Sequence, residues 1–185
     1  MSTVAFSRLI QAPADELWRV FTDLPDRPRW LCQVDEVQVL RQTGQPAPEE
    51  SVAPPRSGRE SGTSLGVGTV WRESRPGPDG TVMVEEFTVQ EAVPARRLVV
   101  SSSGNGVDYL TTYTFAPVPA RPPGRGRTVV TVSHQGVPTA RYSRLLAVVF
   151  GGLAARAGEG ALRRDLADLA ATAARSGRSG PAVAA

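Results

Sequence analysis

The stretch from Pro138 to Ala174, PTARYSRLLAVVFGGLAARAGEGALRRDLADLAATAA, decides how the rest of the chain is arranged. Apolar residues recur in it at steps of three and four, which predicts a helix of roughly nine or ten turns. A helix this long fits a compact domain only if it crosses a whole layer, and the strand-like segments before it predict a sheet. Its front part, Leu145–Ala155, is apolar nearly all round. We therefore expect it to contact a cavity or a partner as well as the sheet.

Alternating apolar and polar residues predict about six or seven strands upstream of this helix. Two short helical segments follow the first strand, one after Pro13 and one around Trp30. The pattern predicts an α+β fold in which an antiparallel sheet packs against the long C-terminal helix. The predicted strands are Thr3–Ile10, Val34–Leu40, Gly68–Arg75, Thr81–Val93, Arg97–Ser103, Val107–Phe115 and Thr128–Gln135.

The chain of 185 residues is expected to form one domain, residues 1–174, followed by a flexible tail at 175–185. The segment 43–65 is rich in proline and poor in large apolar residues, which predicts a disordered loop. A loop of this length is either an insertion or a flap over a site, and we interpret it as an insertion.

Composition excludes several classes of function. The net charge of the chain is small, at +3, and its arginines are scattered among acidic residues. Both features argue against nucleic-acid binding. Cys32 and His134 are the sole residues of their types, so no disulfide or cysteine metal cluster is expected, and no metal or other cofactor. The N-terminus lacks a signal-peptide pattern, and the longest apolar run is too short to span a membrane. We expect a cytoplasmic protein without stable membrane insertion.

A candidate pocket begins on the third predicted strand, where Trp71, Glu73 and Arg75 alternate and share one face. Residues of neighbouring strands and of the long helix are expected to line the same space. The alternative is that the aromatic residues form ordinary core and that the two charged residues face solvent. The candidate ligand-binding residues are Trp71, Glu73, Arg75, Phe87, Tyr109, Tyr113, Leu146 and Phe150.

Several short motifs in this order resemble the START-like, or SRPBCC, superfamily of helix-grip proteins, especially bacterial members of the polyketide cyclase/dehydrase kind. The segment 43–65 departs from the family pattern in its length and proline content. The motifs lie at residues 12–18 (APADELW), 21–23 (FTD), 28–30 (PRW), 68–73 (GTVWRE), 94–98 (PARRL), 113–115 (YTF) and 162–166 (LRRDL).

The resemblance implies a helix-grip fold, in which a curved antiparallel sheet wraps the long C-terminal helix and the space between them is a ligand cavity. Aromatase/cyclase relatives are thought to use an inward arginine, which would here be Arg75, to stabilise a developing oxyanion. Tyr109 or Tyr113 could then transfer a proton, and His134 is either a general base or a structural histidine.

We interpret the protein as a binder of a hydrophobic small molecule, lipid or polyketide-like. The alternative is an aromatase/cyclase or dehydratase, and a third reading is a protein-binding module. The apolar front of the long helix also allows a homodimer or a transient membrane contact during lipid pickup.

Overall fold

One antiparallel sheet with a long helix across it makes up most of the protein. The computed structural model describes residues 2–43, 65–77, 80–104, 107–119, 126–138 and 141–176, of which residues 2, 138 and 141–158 are described by their backbone alone. In chain order the elements are β1 (Ser2–Ile10), α1 (Ala14–Thr22), α2 (Arg27–Trp30), β2 (Glu36–Arg41), β3 (Val70–Pro76), β4 (Val82–Val93), β5 (Arg97–Gly104), β6 (Val107–Val118), β7 (Arg127–Pro138) and α3 (Arg141–Ser176).

The seven strands form a curved open sheet in the order β1-β7-β6-β5-β4-β3-β2, and every neighbouring pair is antiparallel. The first strand therefore lies beside the last, and the sheet ends at β1 and β2. Successive side chains of a strand point to opposite faces, so each strand contributes every second residue to the face that carries the helices. This face is called the concave face below.

The three helices pack on the concave face. α1 begins after Pro13, which lacks the N–H that the first turn of a helix leaves unpaired, and it carries Asp15 and Glu16 in its first turn, where the helix dipole favours anions. Leu17 and Phe21 are its buried side. In the C-terminal half of α3, the fully buried residues Leu166, Leu169 and Ala173 face the same core.

The predicted fold class is confirmed: the protein has an α+β helix-grip architecture with seven strands, two short helices after β1 and one long C-terminal helix. α3 is ten turns long and continues through Gly158 and Gly160, ending two residues after the predicted end of the domain at residue 174. The loop predicted at 43–65 falls, apart from Thr43 and Leu65, outside the described residues, as does the tail from residue 177. None of the helices in the described ranges combines the length and the apolar character needed to cross a membrane.

Candidate ligand-binding site

Alternation along β3 places Trp71, Glu73 and Arg75 together on the concave face. The register of the β3–β4 pair sets Trp71 opposite Phe87 and Glu73 opposite Glu85. Trp71 and Phe87 stack with ring centroids 5.2 Å apart and planes 19° apart. Trp71, Glu73 and Arg75 therefore share one face of the sheet, as their alternation in the sequence predicted, and Phe87 and Glu85 of β4 continue that face.

A buried ionic cluster, formed by Arg27, Glu73, Arg75 and Asp165, lies where β3 meets the helices. The Glu73 side chain is completely buried and its Oε2 accepts a hydrogen bond from Nη2 of Arg75 at 2.9 Å. Its Oε1 accepts another from Nε1 of Trp71 at 2.9 Å and lies 2.8 Å from Nε of Arg27. The contact between Arg27 and Glu73 is an ion pair but not a hydrogen bond, because the Nε–H of Arg27 does not point at an acceptor among the described residues.

Opposite effects act on the two carboxylates of the ionic cluster. Burial alone would raise the pKa of Glu73, but the charges of Arg27 and Arg75 outweigh it and hold that pKa below its usual range. For Asp165 burial is the stronger effect and raises the pKa, although Arg75 and Arg27 oppose it. The geometry agrees, since Oδ2 of Asp165 is 3.6 Å from Arg75 and its buried Oδ1 has no partner among the described residues.

Aromatic rings surround the guanidinium of Arg27. Its Cζ lies 5.2 Å from the ring centroid of Phe21 and 5.8 Å from those of Trp30 and Trp71. Contacts of this kind stabilise a cation by the negative ring face, most strongly where water is excluded. Phe21 also packs on Tyr113 at 4.5 Å between centroids, so α1, α2 and the sheet close together over this part of the concave face.

A second group of polar residues lies on the concave face toward the end of the sheet where β7 leads into α3. We call it the polar shelf, and its members are Glu85, Ser102, Tyr109, Thr111 and His134. Oγ of Ser102 donates to Oε1 of Glu85 at 2.6 Å. Thr111 and His134 share a hydrogen bond of 2.7 Å between Oγ1 and Nδ1, and the rings of Tyr109 and His134 stack at 4.9 Å.

Electrostatic effects connect the members of the polar shelf. Burial lowers the pKa of His134, and the charge of Glu85 opposes that effect. Burial raises the pKa of Tyr109, and the same charge raises it further. The carboxylate of Glu85 is therefore close enough to influence both rings.

The candidate residues named from the sequence divide into two regions. Trp71, Glu73, Arg75 and Tyr113 belong to the packed region around the ionic cluster, where burial raises the pKa of the Tyr113 phenol. Tyr109 and His134 belong to the polar shelf, and Phe87 lies between the two regions, opposite both Trp71 and Ser102. Leu146 and Phe150 lie in the part of α3 whose side chains are outside the description.

Sequence reasoning missed Arg27 and Asp165 as members of the ionic cluster and Ser102 as a partner of Glu85. Arg27 is the first residue of the four-residue helix α2, which is too short for periodicity to assign a direction to its side chain. Asp165 directly precedes the buried Leu166. Its position beside the apolar stripe of the helix was the one feature of the sequence that could have indicated a place near the core. A buried Glu73 also requires a cationic partner, which is a reason to search for arginines elsewhere in the chain.

Comparison with solved structures shows the same fold in other proteins. The Zhui aromatase/cyclase from Streptomyces sp. R1128 matches with a TM-score of 0.66 at 17% identity, over 98% of this chain and 99% of that chain. The protein TTHA0849 from Thermus thermophilus matches with a TM-score of 0.63 at 17% identity, over 95% and 99% of the two chains. The di-domain ARO/CYC BexL from the BE-7585A biosynthetic pathway gives 0.54 at 17% identity, over 90% of this chain and 46% of its own.

None of the curated proteins compared with the chain matches it. The family model described as polyketide cyclase / dehydrase and lipid transport matches residues 1–174, which includes all seven strands and nearly all of α3. The chain therefore belongs to the polyketide cyclase/dehydrase and lipid transport family.

Proposed function

We propose that the protein binds a hydrophobic small molecule, polyketide-like or lipid, on the concave face between the sheet and α3. Membership of the family supports a ligand-binding or polyketide-cyclase role. The observation that carries the proposal is the polar shelf, where half-buried rings lie beside a few fixed hydrogen-bonding groups. Small-molecule sites are typically built in this way, from aromatic and apolar surface with a small number of placed polar groups.

The difference between the two regions of the concave face supports a ligand position over one of them. Around the ionic cluster, Trp71, Leu98 and Leu166 are each at most 2% exposed, so side chains already fill that region. The shelf residues Tyr109 and His134 are only partly buried. The proposed ligand therefore lies over the polar shelf, under the first half of α3, and Trp71 influences it through the stacked ring of Phe87.

A second candidate function is cyclisation or dehydration of a poly-ketone chain, and the inward position of Arg75 favours it. Two features of Arg75 and Tyr113 weigh against it. Glu73 and Asp165 already compensate the charge of Arg75, which leaves less of it for a developing oxyanion. Burial raises the pKa of Tyr113, which makes its phenol a poorer proton donor. Binding without catalysis is the stronger proposal.

The test is stoichiometric binding of the neutral dye Nile red to the native protein, followed by its displacement with fatty alcohols and polycyclic aromatic compounds. We expect Tyr109→Ala to weaken binding by roughly tenfold, because it removes a ring contact and a hydrogen-bonding group. Arg72→Ala is the control, since Arg72 is about half exposed and pairs with Glu86 on the opposite face. Absence of saturable dye binding, or equal effects of the two substitutions, would contradict the proposal.

A further inference from the structure

The hydrogen-bonding groups of the polar shelf indicate which polar group of a ligand would bind there. We infer that it binds a neutral hydrogen-bond donor, a hydroxyl or a phenol, and that it selects against carboxylates. The inference rests on the proposed function, because it names the chemical class of the molecule bound at the same site.

The internal hydrogen bonds of the shelf leave one carboxylate oxygen and one imidazole nitrogen for a ligand. Ser102 donates to Oε1 of Glu85, and no donor to Oε2 occurs among the described residues. The bond between Thr111 and His134 uses Nδ1, and Nε2 has no hydrogen-bond partner among the described residues; it accepts or donates according to the tautomer of the ring. A ligand hydroxyl could therefore donate a hydrogen bond to Oε2 of Glu85 without displacing an existing protein contact.

The distribution of charge explains the selection against anions. In the ionic cluster two arginines face two carboxylates, so the charges compensate one another. The described ion pairs, in contrast, give Glu85 no basic partner, while its charge acts on both Tyr109 and His134. A second carboxylate brought to the half-buried shelf would meet a like charge at short range and would also lose hydration.

A neutral hydroxyl satisfies the shelf better than a cation does. A protonated amine would also be attracted to Glu85, but it would lose part of its hydration in the half-buried shelf, which costs more for a charged group than for a neutral hydroxyl. The stacked rings of Tyr109 and His134 add an aromatic flank beside the acceptor, which suits a phenol.

Three probes with the same ring system separate these contributions: naphthalene, 2-naphthol and 2-naphthoate, each measured at neutral pH by competition with Nile red. In the wild type we expect 2-naphthol to bind roughly tenfold more tightly than naphthalene, as a hydrogen bond to a charged acceptor allows. We expect 2-naphthoate to bind more weakly than either.

The decisive variant is Glu85→Gln, which keeps the shape and an acceptor for Ser102 but removes the charge. The preference for 2-naphthol over 2-naphthoate should fall roughly tenfold. Glu86→Gln is the matched control, because the neighbouring Glu86 is exposed on the opposite face of β4 and should leave the preference unchanged. Should Glu85→Gln fail to fold, Glu85→Ala removes both the charge and the acceptor of this half-buried side chain and should reduce the same preference.

The outcomes separate the inference from the proposed function. If neither Nile red nor any naphthalene compound binds to the wild type, the proposed function fails. If the probes bind but 2-naphthoate equals or exceeds 2-naphthol, or if the substitutions of Glu85 leave the preference unchanged, the inference alone is overturned.

Discussion

At the scale of single residues, Glu73 connects parts of the chain that are far apart in sequence. Its carboxylate contacts Arg27 of α2, and Trp71 and Arg75 of its own strand. Removal of one partner from a buried ion pair is costly, because it leaves the other charge buried and uncompensated. The ionic cluster therefore makes the position of α2 on the sheet depend on one ionised side chain.

Glu73→Gln is expected to lower the free energy of unfolding by about 3 kcal/mol at neutral pH, since Arg27 would remain buried without its ion-pair partner and Arg75 would keep only the more distant Asp165. The pKa of Glu73 is lower in the folded protein, so its contribution is present above the ordinary glutamate pKa near 4.5 and is lost as the pH falls through the folded pKa. The difference between wild type and variant, measured by urea denaturation, should therefore narrow as the pH falls below that range.

Asp165→Asn is the matched control for this substitution within the same ionic cluster. The pKa of Asp165 is raised in the folded protein, so folding disfavours the charged form of this side chain. The free energy of unfolding of the neutral variant Asp165→Asn should therefore equal or exceed that of the wild type. Equal losses for Glu73→Gln and Asp165→Asn would show that the two carboxylates share the role assigned to Glu73.

The sequence predicted one half of the ionic cluster. Alternation along β3 was sufficient to place Trp71, Glu73 and Arg75 on one face, because a strand has a side-chain period of two. Arg27 and Asp165 could not be paired with them in that way, since a contact between distant elements depends on how the helices dock and leaves no periodic trace.

At the scale of elements, the described side-chain contacts between α3 and the rest of the domain lie in its C-terminal half. Leu166 and Leu169 are fully buried, and Oδ2 of Asp168 accepts a hydrogen bond of 2.9 Å from the backbone N–H of Cys32. The apolar stripe of this half was visible in the sequence as Leu162, Leu166 and Leu169. The apolar front of the helix was also visible, but a sequence with apolar residues all round does not indicate which side faces the sheet.

Gly160→Ala should stabilise the protein, because a methyl group there would enter open space and glycine is a poor helix former. We expect a gain of about 1 kcal/mol or less, which corresponds to a rise in Tm of about 2 °C for a domain of this size. Thermal unfolding followed by circular dichroism measures the change.

Gly68→Ala is the opposing control for the glycine prediction. Gly68 has a φ of +84°, a conformation that alanine adopts with strain, so this substitution should lower the Tm. A fall in Tm for Gly160→Ala would mean that the helix needs flexibility or close approach at that position.

At the scale of the whole molecule, the fold could be predicted because each level of the sequence agrees with the next. Alternating strands, turn residues and one long helical pattern specify a single antiparallel sheet with a helix across it. The division of the concave face into a filled region and a polar shelf could not be predicted, because it depends on side-chain volume and on where α1 and α2 pack. Met83, which shares the face of Glu85 but is 51% exposed, illustrates that alternation alone does not determine burial.

The two ends of the segment between β2 and β3 meet in the structure. The backbone N–H of Gly66 donates to the carbonyl of Thr43 at 3.1 Å, and the hydroxyl of Thr43 lies 2.6 Å from the carbonyl oxygen of Val67. Gly66 lies so close to Thr43 that an added Cβ would overlap the carbonyl oxygen. Leu65 is buried beside this junction. A short connection could therefore join the two strands without moving either end.

Replacement of residues 45–63 by a linker of about four Gly and Ser residues should keep the free energy of unfolding within about 1 kcal/mol of wild type, because a shorter loop costs less entropy to close. Gly66→Ala in the full chain should be the more destabilising change, since it breaks the junction itself. Urea denaturation measures both, and a loss of several kcal/mol for the shortened chain would show that the replaced segment packs on the domain.

The affinity for Nile red distinguishes whether the replaced segment is an insertion or a flap over the polar shelf. Removal of an insertion leaves the affinity unchanged, as we expect, whereas removal of a flap weakens it.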